Sequence, residues 1–393
     1  MSSEGPSLRI LFLAPQPFFE VRGTPLAVLA MVRALAGLGH QVDLLTFPQG
    51  ADVEVPGVRH ERSLRLPVGR VRAGPSLAKL VLDVPFMLEA IGRMVFGRYD
   101  VVHAVEEAAH LAAPAARLLR LPLVVDVDSS IPEQLRYSGF ATRGPLPWLA
   151  ERLERQALAR SAAVITVCTS LTEGVRARAP QARVFQIEDP PLVDASAPRA
   201  EDVARLRGEL GLGPGPVALY SGNFESYQGV ELLVDAAGLV PEARFVLMGG
   251  EPAEIEAMRA RARTAGAAER CVFSGKRPPS ELPLFLALAD VLVSPRSRGA
   301  NTPFKVYTYL ASGKPLVATR IPTHTQLLDD TLAFLVEPTP AGLAAGIRQA
   351  LADPAEARAR AEGGRALIER EYSPARFVEK VARAYAAVAE AGR

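Results

Sequence analysis

The residues with the clearest chemical potential lie in one stretch, Ser294-Pro-Arg-Ser-Arg-Gly-Ala-Asn-Thr-Pro-Phe-Lys-Val-Tyr-Thr-Tyr-Leu-Ala-Ser-Gly-Lys-Pro-Leu-Val-Ala-Thr319. The pattern is a strand end, a polar loop, a helix start and a Gly-Lys-Pro turn into another strand. Loop amides and a helix N-terminus suit a diphosphate, and Arg296, Arg298 and Lys305 can neutralise it. A second candidate is Gly23-Thr24, which follows the long loop from Ala14 and precedes Pro25. It reads either as an anion site at a helix N-terminus or as a turn glycine with a helix cap. The third is Val124-Val-Asp-Val-Asp-Ser-Ser-Ile131. Two carboxylates on alternate strand residues invite a hard-cation reading, but it is not the lead, and Asp128 also reads as the cap of a helix beginning near Pro132. Glu106 and Glu107 stand after a further strand. They are acceptor-contacting acids or ordinary acids of a first helical turn. His103 reads as a satisfied strand residue, His40 as structural, and His324 as part of a loop.

These residues need a scaffold, and the apolar pattern supplies one. Short runs at Arg9–Ala14, Gln41–Thr46, Val101–Ala104, Leu123–Val127, Val164–Val167 and Val184–Ile187 alternate with helix-like segments such as Thr24–Gly39. That is the pattern of a parallel α/β sheet. Glu188 to Pro198 is rich in proline and turn residues and reads as a linker. The pattern then restarts, with strands at Val217–Tyr220, Arg244–Met248, Cys271–Phe273, Val291–Ser294 and Pro315–Thr319 and a helix over Pro303–Ser312. The sequence predicts two Rossmann-like domains facing each other across a cleft, where ligands sit at the carboxyl ends of the strands. The boundaries expected are 1–190, 191–370 and a terminal segment 371–393. Gly211-Leu-Gly-Pro-Gly215 precedes a strand, so it is a loop rather than a dinucleotide fingerprint.

Composition narrows the classes. The 393 residues carry 45 basic and 43 acidic side chains, a net charge of +2 that gives no polyanion signature; nucleic acid is not an expected partner. Only five of the basic residues are lysine, among them Lys305. Two distant cysteines, Cys168 and Cys271, exclude a disulfide framework and a cysteine zinc site. The first residues do not read as a signal peptide, and no run of about 18 apolar residues spans a bilayer. The default compartment is the cytoplasm. Residues 59–98 hold eight basic and three acidic residues. Within them Leu77, Leu80, Val81, Val84, Leu88, Ile91 and Val95 share one helical face. The ordinary explanation is core packing, with Pro85 kinking or ending the helix. The other is peripheral contact with an anionic membrane surface.

Taken together, the Gly23-Thr24 loop, Leu38-Gly-His-Gln-Val-Asp-Leu44, Asp100-Val-Val-His-Ala104, Tyr220-Ser-Gly-Asn-Phe224 with Gln228-Gly229, Val272-Phe-Ser-Gly275, Ala289 to Pro295 and Pro303 to Pro315 resemble the family 4 glycosyltransferases of GT-B fold. The resemblance implies sugar transfer from a nucleotide-diphosphate sugar with retention of configuration. It implies a donor-binding C-terminal domain, an acceptor-binding N-terminal domain and a last helix, Tyr372–Ala391, that crosses back. It also implies that no metal or other cofactor is needed, and that the leaving phosphate helps take the acceptor proton. A lipid-linked saccharide of cell-surface polysaccharide synthesis is the acceptor the analogy suggests.

The departures from the family are specific. Its two glutamates for sugar and ribose align with Ala300 and Thr308, and its Arg and Lys for the diphosphate align with Asn223 and Gln228. Lys305, Arg296 and Arg298 are placed to replace the charge, and Asn301 and Thr302 the sugar contacts. Asp128 stands where the family has a histidine on the donor sugar, and can accept hydrogen bonds from sugar hydroxyls. Two alternatives stay open: a catalytically silent GT-B protein that serves as a partner subunit or ligand binder, and a GT-B sugar-nucleotide epimerase.

Overall fold

The computed structural model describes residues 7–20, 23–68, 76–129, 146–192 and 198–391. The expected helix start near Pro132 and parts of the linker and of the 59–98 stretch lie outside the described residues. The chain divides into two compact units, Met1–Asp189 with Pro374–Arg393, and Pro190–Ser373.

In the first unit the described strands are β1 Arg9–Ala14, β2 Gln41–Thr46, β3 Val58–Arg62, β4 Val101–Val105, β5 Leu123–Val127, β6 Ala163–Thr166 and β7 Val184–Gln186. They pair in parallel in the order β3-β2-β1-β4-β5-β6-β7. The inner strands β1, β4, β5 and β6 are apolar almost throughout because both faces are covered. On one face lie the helices Gly23–Gly37 and Pro374–Ala391; Phe377, Val381, Ala384, Tyr385 and Val388 of the terminal helix are buried there. The other face is covered by Leu77–Phe96, Glu107–Leu118, Leu146–Arg160 and Thr169–Arg178. His103 ties strand to terminal helix: its Nδ1 is 2.7 Å from the Tyr385 hydroxyl and its Nε2 3.1 Å from Asp126. It is stacked on Phe12 and fully buried, as a satisfied core histidine.

The second unit repeats the plan with β8 Val217–Ser221, β9 Arg244–Met248, β10 Cys271–Gly275, β11 Val291–Ser294, β12 Leu316–Thr319 and β13 Phe334–Val336. Its order is β10-β9-β8-β11-β12-β13, again parallel. Both sheets are doubly wound, and the strand order reverses between β1 and β4 and between β8 and β11. Ligands of such sheets bind at the carboxyl ends of the strands at these reversals.

Two strands escaped the sequence pattern, β3 and β13. The first is charged (Val-Arg-His-Glu-Arg) and only partly buried at a sheet edge, and the second is three residues long. Two expectations for the helix Leu77–Phe96 are corrected. It runs through Pro85, because Leu82 before it and Phe86 and Met87 after it are buried and hold both halves. The packing offsets the proline cost of about 3 kcal/mol. Its buried residues are Leu82, Asp83, Phe86, Met87, Ala90 and Met94, whereas Leu77, Leu80, Val81, Val84, Leu88, Ile91 and Val95 face outward. Core packing of that face is therefore overturned.

Candidate functional site

In the second unit, β8 ends at Ser221 and the chain turns at Gly222 and Asn223. The Asn223 carbonyl accepts the Tyr220 hydroxyl (2.6 Å), and its side-chain oxygen accepts the Glu225 amide (3.3 Å). Asn223 is thus occupied in shaping the turn. β11 ends at Ser294, followed by Pro295 and the buried Arg296. Arg296 donates to the Arg298 carbonyl (2.9 Å) and to the Asn301 side chain (2.9 Å) and lies over the Tyr227 ring. Arg298 is exposed and donates to Ser226 (2.8 Å). The loop is clamped from below. Thr319, at the end of β12, donates through its hydroxyl to the Arg296 carbonyl, and His324 lies 2.9 Å from Ser294 and 2.8 Å from the Thr319 carbonyl. Burial drives the His324 pKa down to about 4, which keeps the ring neutral. Its role is to hold two strand ends together.

Lys305 occupies the second position of the helix Phe304–Ala311. Its ammonium donates to Gln228 (3.1 Å) and stands 3.9 Å above the centre of the Tyr220 ring. Among the described residues it has no carboxylate in salt-bridge reach. Burial, and then the Arg296 cation, push its pKa well below the ordinary lysine range. A cation in that state gains from an incoming anion. The ammonium touches the side chain at position 228, one of the two positions where the resemblance expects a basic residue. In this chain the ammonium that reaches this position is carried on the helix after β11. Backbone shape keeps the space open: a Cβ on Gly222 would stand 2.6 Å from the Lys305 ammonium, and one on Gly229 (φ +69°) would stand 2.0 Å from the Pro295 carbonyl oxygen. We expect Gly229→Ala to displace the Pro295–Arg296 backbone. The cost is about 3 kcal/mol, a loss of roughly 5–10 °C in Tm by calorimetry.

Two expected donor residues are buried. Thr308 is buried and its hydroxyl accepts the Leu192 amide (3.0 Å). Thr302 is buried beside the helix start. Tyr220, Gly222 and Tyr309, whose hydroxyl accepts the Ser221 amide (2.7 Å), were not singled out from the sequence. The end of β8 at a strand-order reversal was the signal available for them.

In the first unit the carboxyl ends of β4 and β5 and the start of the helix Gly23–Gly37 meet. The Thr24 hydroxyl hydrogen-bonds Asp128. Glu106, at φ +49°, accepts from Ser129. Asp126 spends one oxygen on His103, and its other oxygen is buried without a hydrogen bond. Burial, followed by the nearby Asp126, Glu106 and Asp189 charges, raises the Asp128 pKa well above the usual carboxylate range. Burial, Asp126 and Glu188 push Asp189 up to about 8. Glu107 pairs with Lys79 beneath the helix Leu77–Phe96, next to the buried Asp83, and the same ammonium lies 3.9 Å from Glu106.

Both units match family models. Residues 22–188 match the glycosyl transferase 4-like domain, and residues 215–353 match the glycosyl transferases group 1 model. A 2-deoxystreptamine glucosyltransferase of Streptomyces kanamyceticus is 30% identical over 373 residues, 88% of this chain and 94% of that protein. A GDP-mannose-dependent alpha-(1-6)-phosphatidylinositol monomannoside mannosyltransferase of Mycolicibacterium smegmatis is 33% identical over 45% of this chain and half of its own length. A sucrose-phosphate synthase structure from Thermosynechococcus elongatus superposes with a TM-score of 0.80 at 21% identity, covering 96% of this chain and 98% of that one. The chain belongs to the family 4 glycosyltransferases of GT-B fold.

Proposed function

We propose that the chain is a retaining glycosyltransferase that moves a sugar from a nucleotide-diphosphate sugar to an acceptor hydroxyl. The observation that carries this reading is the Lys305 ammonium beside Arg296 at the β8/β11 reversal, with no carboxylate in salt-bridge reach among the described residues. Two cations and a helix start there suit a departing diphosphate. In the transfer, the bond from the anomeric carbon to the β-phosphate oxygen breaks and the acceptor oxygen bonds to the same face of that carbon. The acceptor proton passes to the leaving phosphate. Lys305 and Arg296 stabilise the charge that develops on the diphosphate. Asp128, hydrogen-bonded to Thr24, accepts a hydrogen bond from a sugar hydroxyl. With the cations in the chain itself, the reaction needs no metal, and EDTA is expected to leave turnover unchanged.

We further propose a lipid-linked saccharide as acceptor, in cell-surface polysaccharide synthesis, with the protein in the cytoplasm and peripheral at the membrane through residues 59–98. The name of the mycobacterial relative, which includes a phosphatidylinositol mannoside, supports a lipid-bearing acceptor. Among the described residues no helix is long and apolar enough to cross a membrane.

The test is calorimetry and thermal shift with UDP, GDP, ADP and TDP. A ligand of the native state raises its Tm, so a response to one nucleotide names the donor class. NMR of the product with the matching sugar nucleotide then shows the anomeric configuration. Silence from all four nucleotides would overturn the reading in favour of a non-catalytic GT-B protein, for which Ala300, Thr308, Asn223 and Gln228 would mark a lost site.

A further inference from the structure

The helix Leu77–Phe96 is amphipathic in the inverted sense. Every position that the structure leaves exposed on it is apolar: Leu77, Leu80, Val81, Val84, Leu88, Ile91, Val95 and Phe96. Several are more than 60% exposed, including Leu77, Val84, Leu88 and Phe96. Its four charged residues are turned toward the protein. Lys79 pairs with Glu107, Asp83 is buried, and Arg93 pairs with Glu61 and Glu89. The apolar stripe covers 20 residues, about 30 Å at ~1.5 Å per residue. The neighbouring helices of the same layer add Leu111, Leu118, Leu149 and a 61% exposed Trp148, with Arg152 over the indole ring. An exposed apolar stripe of this length marks an interaction surface.

We propose that this face docks on an anionic lipid surface. The proposal rests on the membrane-associated reading above and names the surface that carries it. Charge selects lipid over a second copy. Exposed Arg65 lies before the helix and exposed Arg98 just after it, and the sequence adds Arg70 and Arg72 on the leading side. With the same sign at both ends, pairing the stripe with itself in either direction sets arginine against arginine. An anionic bilayer instead takes the apolar stripe about 5–10 Å deep and meets the arginines with headgroups. Trp148 suits the interfacial depth.

The experiment is co-sedimentation of the full chain with vesicles of phosphatidylcholine alone and with 30% phosphatidylglycerol, in parallel with analytical ultracentrifugation. The probe variant is the triple Leu80→Gln/Val84→Asn/Leu88→Gln. These side chains are exposed, so Tm and the nucleotide response are expected to stay at the wild-type values. The expected result is binding to the anionic vesicles, weakened by 0.5 M salt, with the variant needing at least about tenfold more lipid. Absence of binding, equal binding by the variant, or equal binding to pure phosphatidylcholine would overturn the proposal. So would a concentration-dependent wild-type dimer that the variant abolishes, which would give the face to a second copy. A nucleotide response without vesicle binding removes only the docking surface. Vesicle binding without a nucleotide response removes only the donor reading.

Discussion

Replacing Lys305 with methionine is expected to lower kcat/KM for sugar transfer by about 10²–10³-fold, the effect of removing one preorganised donor to a developing oxyanion. Methionine keeps most of the stem's bulk, so the loss reports the charge. Nucleotide diphosphate affinity should fall with it, because the ammonium meets the diphosphate in ground state and product alike. The more informative variant is Lys305→Met combined with Gln228→Lys. Lys305 and Gln228 are in contact at 3.1 Å, so a lysine at 228 can bring an ammonium to nearly the same place. Recovery of a tenth or more of the lost activity would show that the position of the charge matters, not its origin in the helix after β11. If Lys305→Met binds and turns over donor like the wild type, the ammonium does not meet the diphosphate, and the assignment of that role to Lys305 fails.

The second large effect is on stability. Asp83 is 7% exposed, and burial, then the Glu107 charge, raises its pKa to about 7 against the restoring attraction of Lys79. One of its oxygens is buried without a hydrogen bond. A carboxyl whose folded pKa lies above its unfolded value stabilises the fold fully below the unfolded value, near 3.8. That stability is lost as pH rises through the folded value. The window therefore runs from about pH 4 to pH 7, and at ~1.4 kcal/mol per pKa unit the full loss approaches 4 kcal/mol. Asp83→Asn removes the charge at nearly constant shape. Urea unfolding should find the variant more stable than the wild type at pH 8, by roughly 2–4 kcal/mol, and close to it at pH 4.5. Asp189, pushed up to about 8, titrates in an overlapping range, so some pH dependence should remain. An unchanged slope would place the ionised Asp83 in contact with water or a donor, contrary to its burial.

The inverted helix explains why the sequence misleads at Leu77–Phe96. Periodicity identifies an amphipathic helix but not which face meets the core. Burial of apolar surface predicts the larger apolar stripe inward, yet Lys79, Asp83 and Glu107 assemble beneath the helix and bury charge. Only the register of the helix against β1, β2 and the helix Glu107–Leu118 decides that. Glu106 and Glu107 illustrate the same limit at a single bond. They are adjacent in sequence and both lie near the Lys79 ammonium, but Glu106 also accepts from Ser129 at the end of β4, whereas Glu107 makes the closer ion pair with Lys79.

What the sequence determined by itself was local and periodic. Apolar strand runs, their alternation with helices and the polar loops at strand ends determined two doubly wound sheets and placed Arg296 and Asp128 just after strands and Lys305 and Thr24 at helix starts. Those features depend on residues near one another in the chain. The tertiary structure decided which charges meet. Lys305 reaches across 77 residues to Gln228, and Tyr385 across 282 residues to His103. Burial, and the Asp126, Glu106 and Asp189 charges gathered around it, raise the Asp128 pKa well above the usual carboxylate range. Desolvation and neighbouring charge set these states, and both are properties of the packed chain rather than of any segment in it.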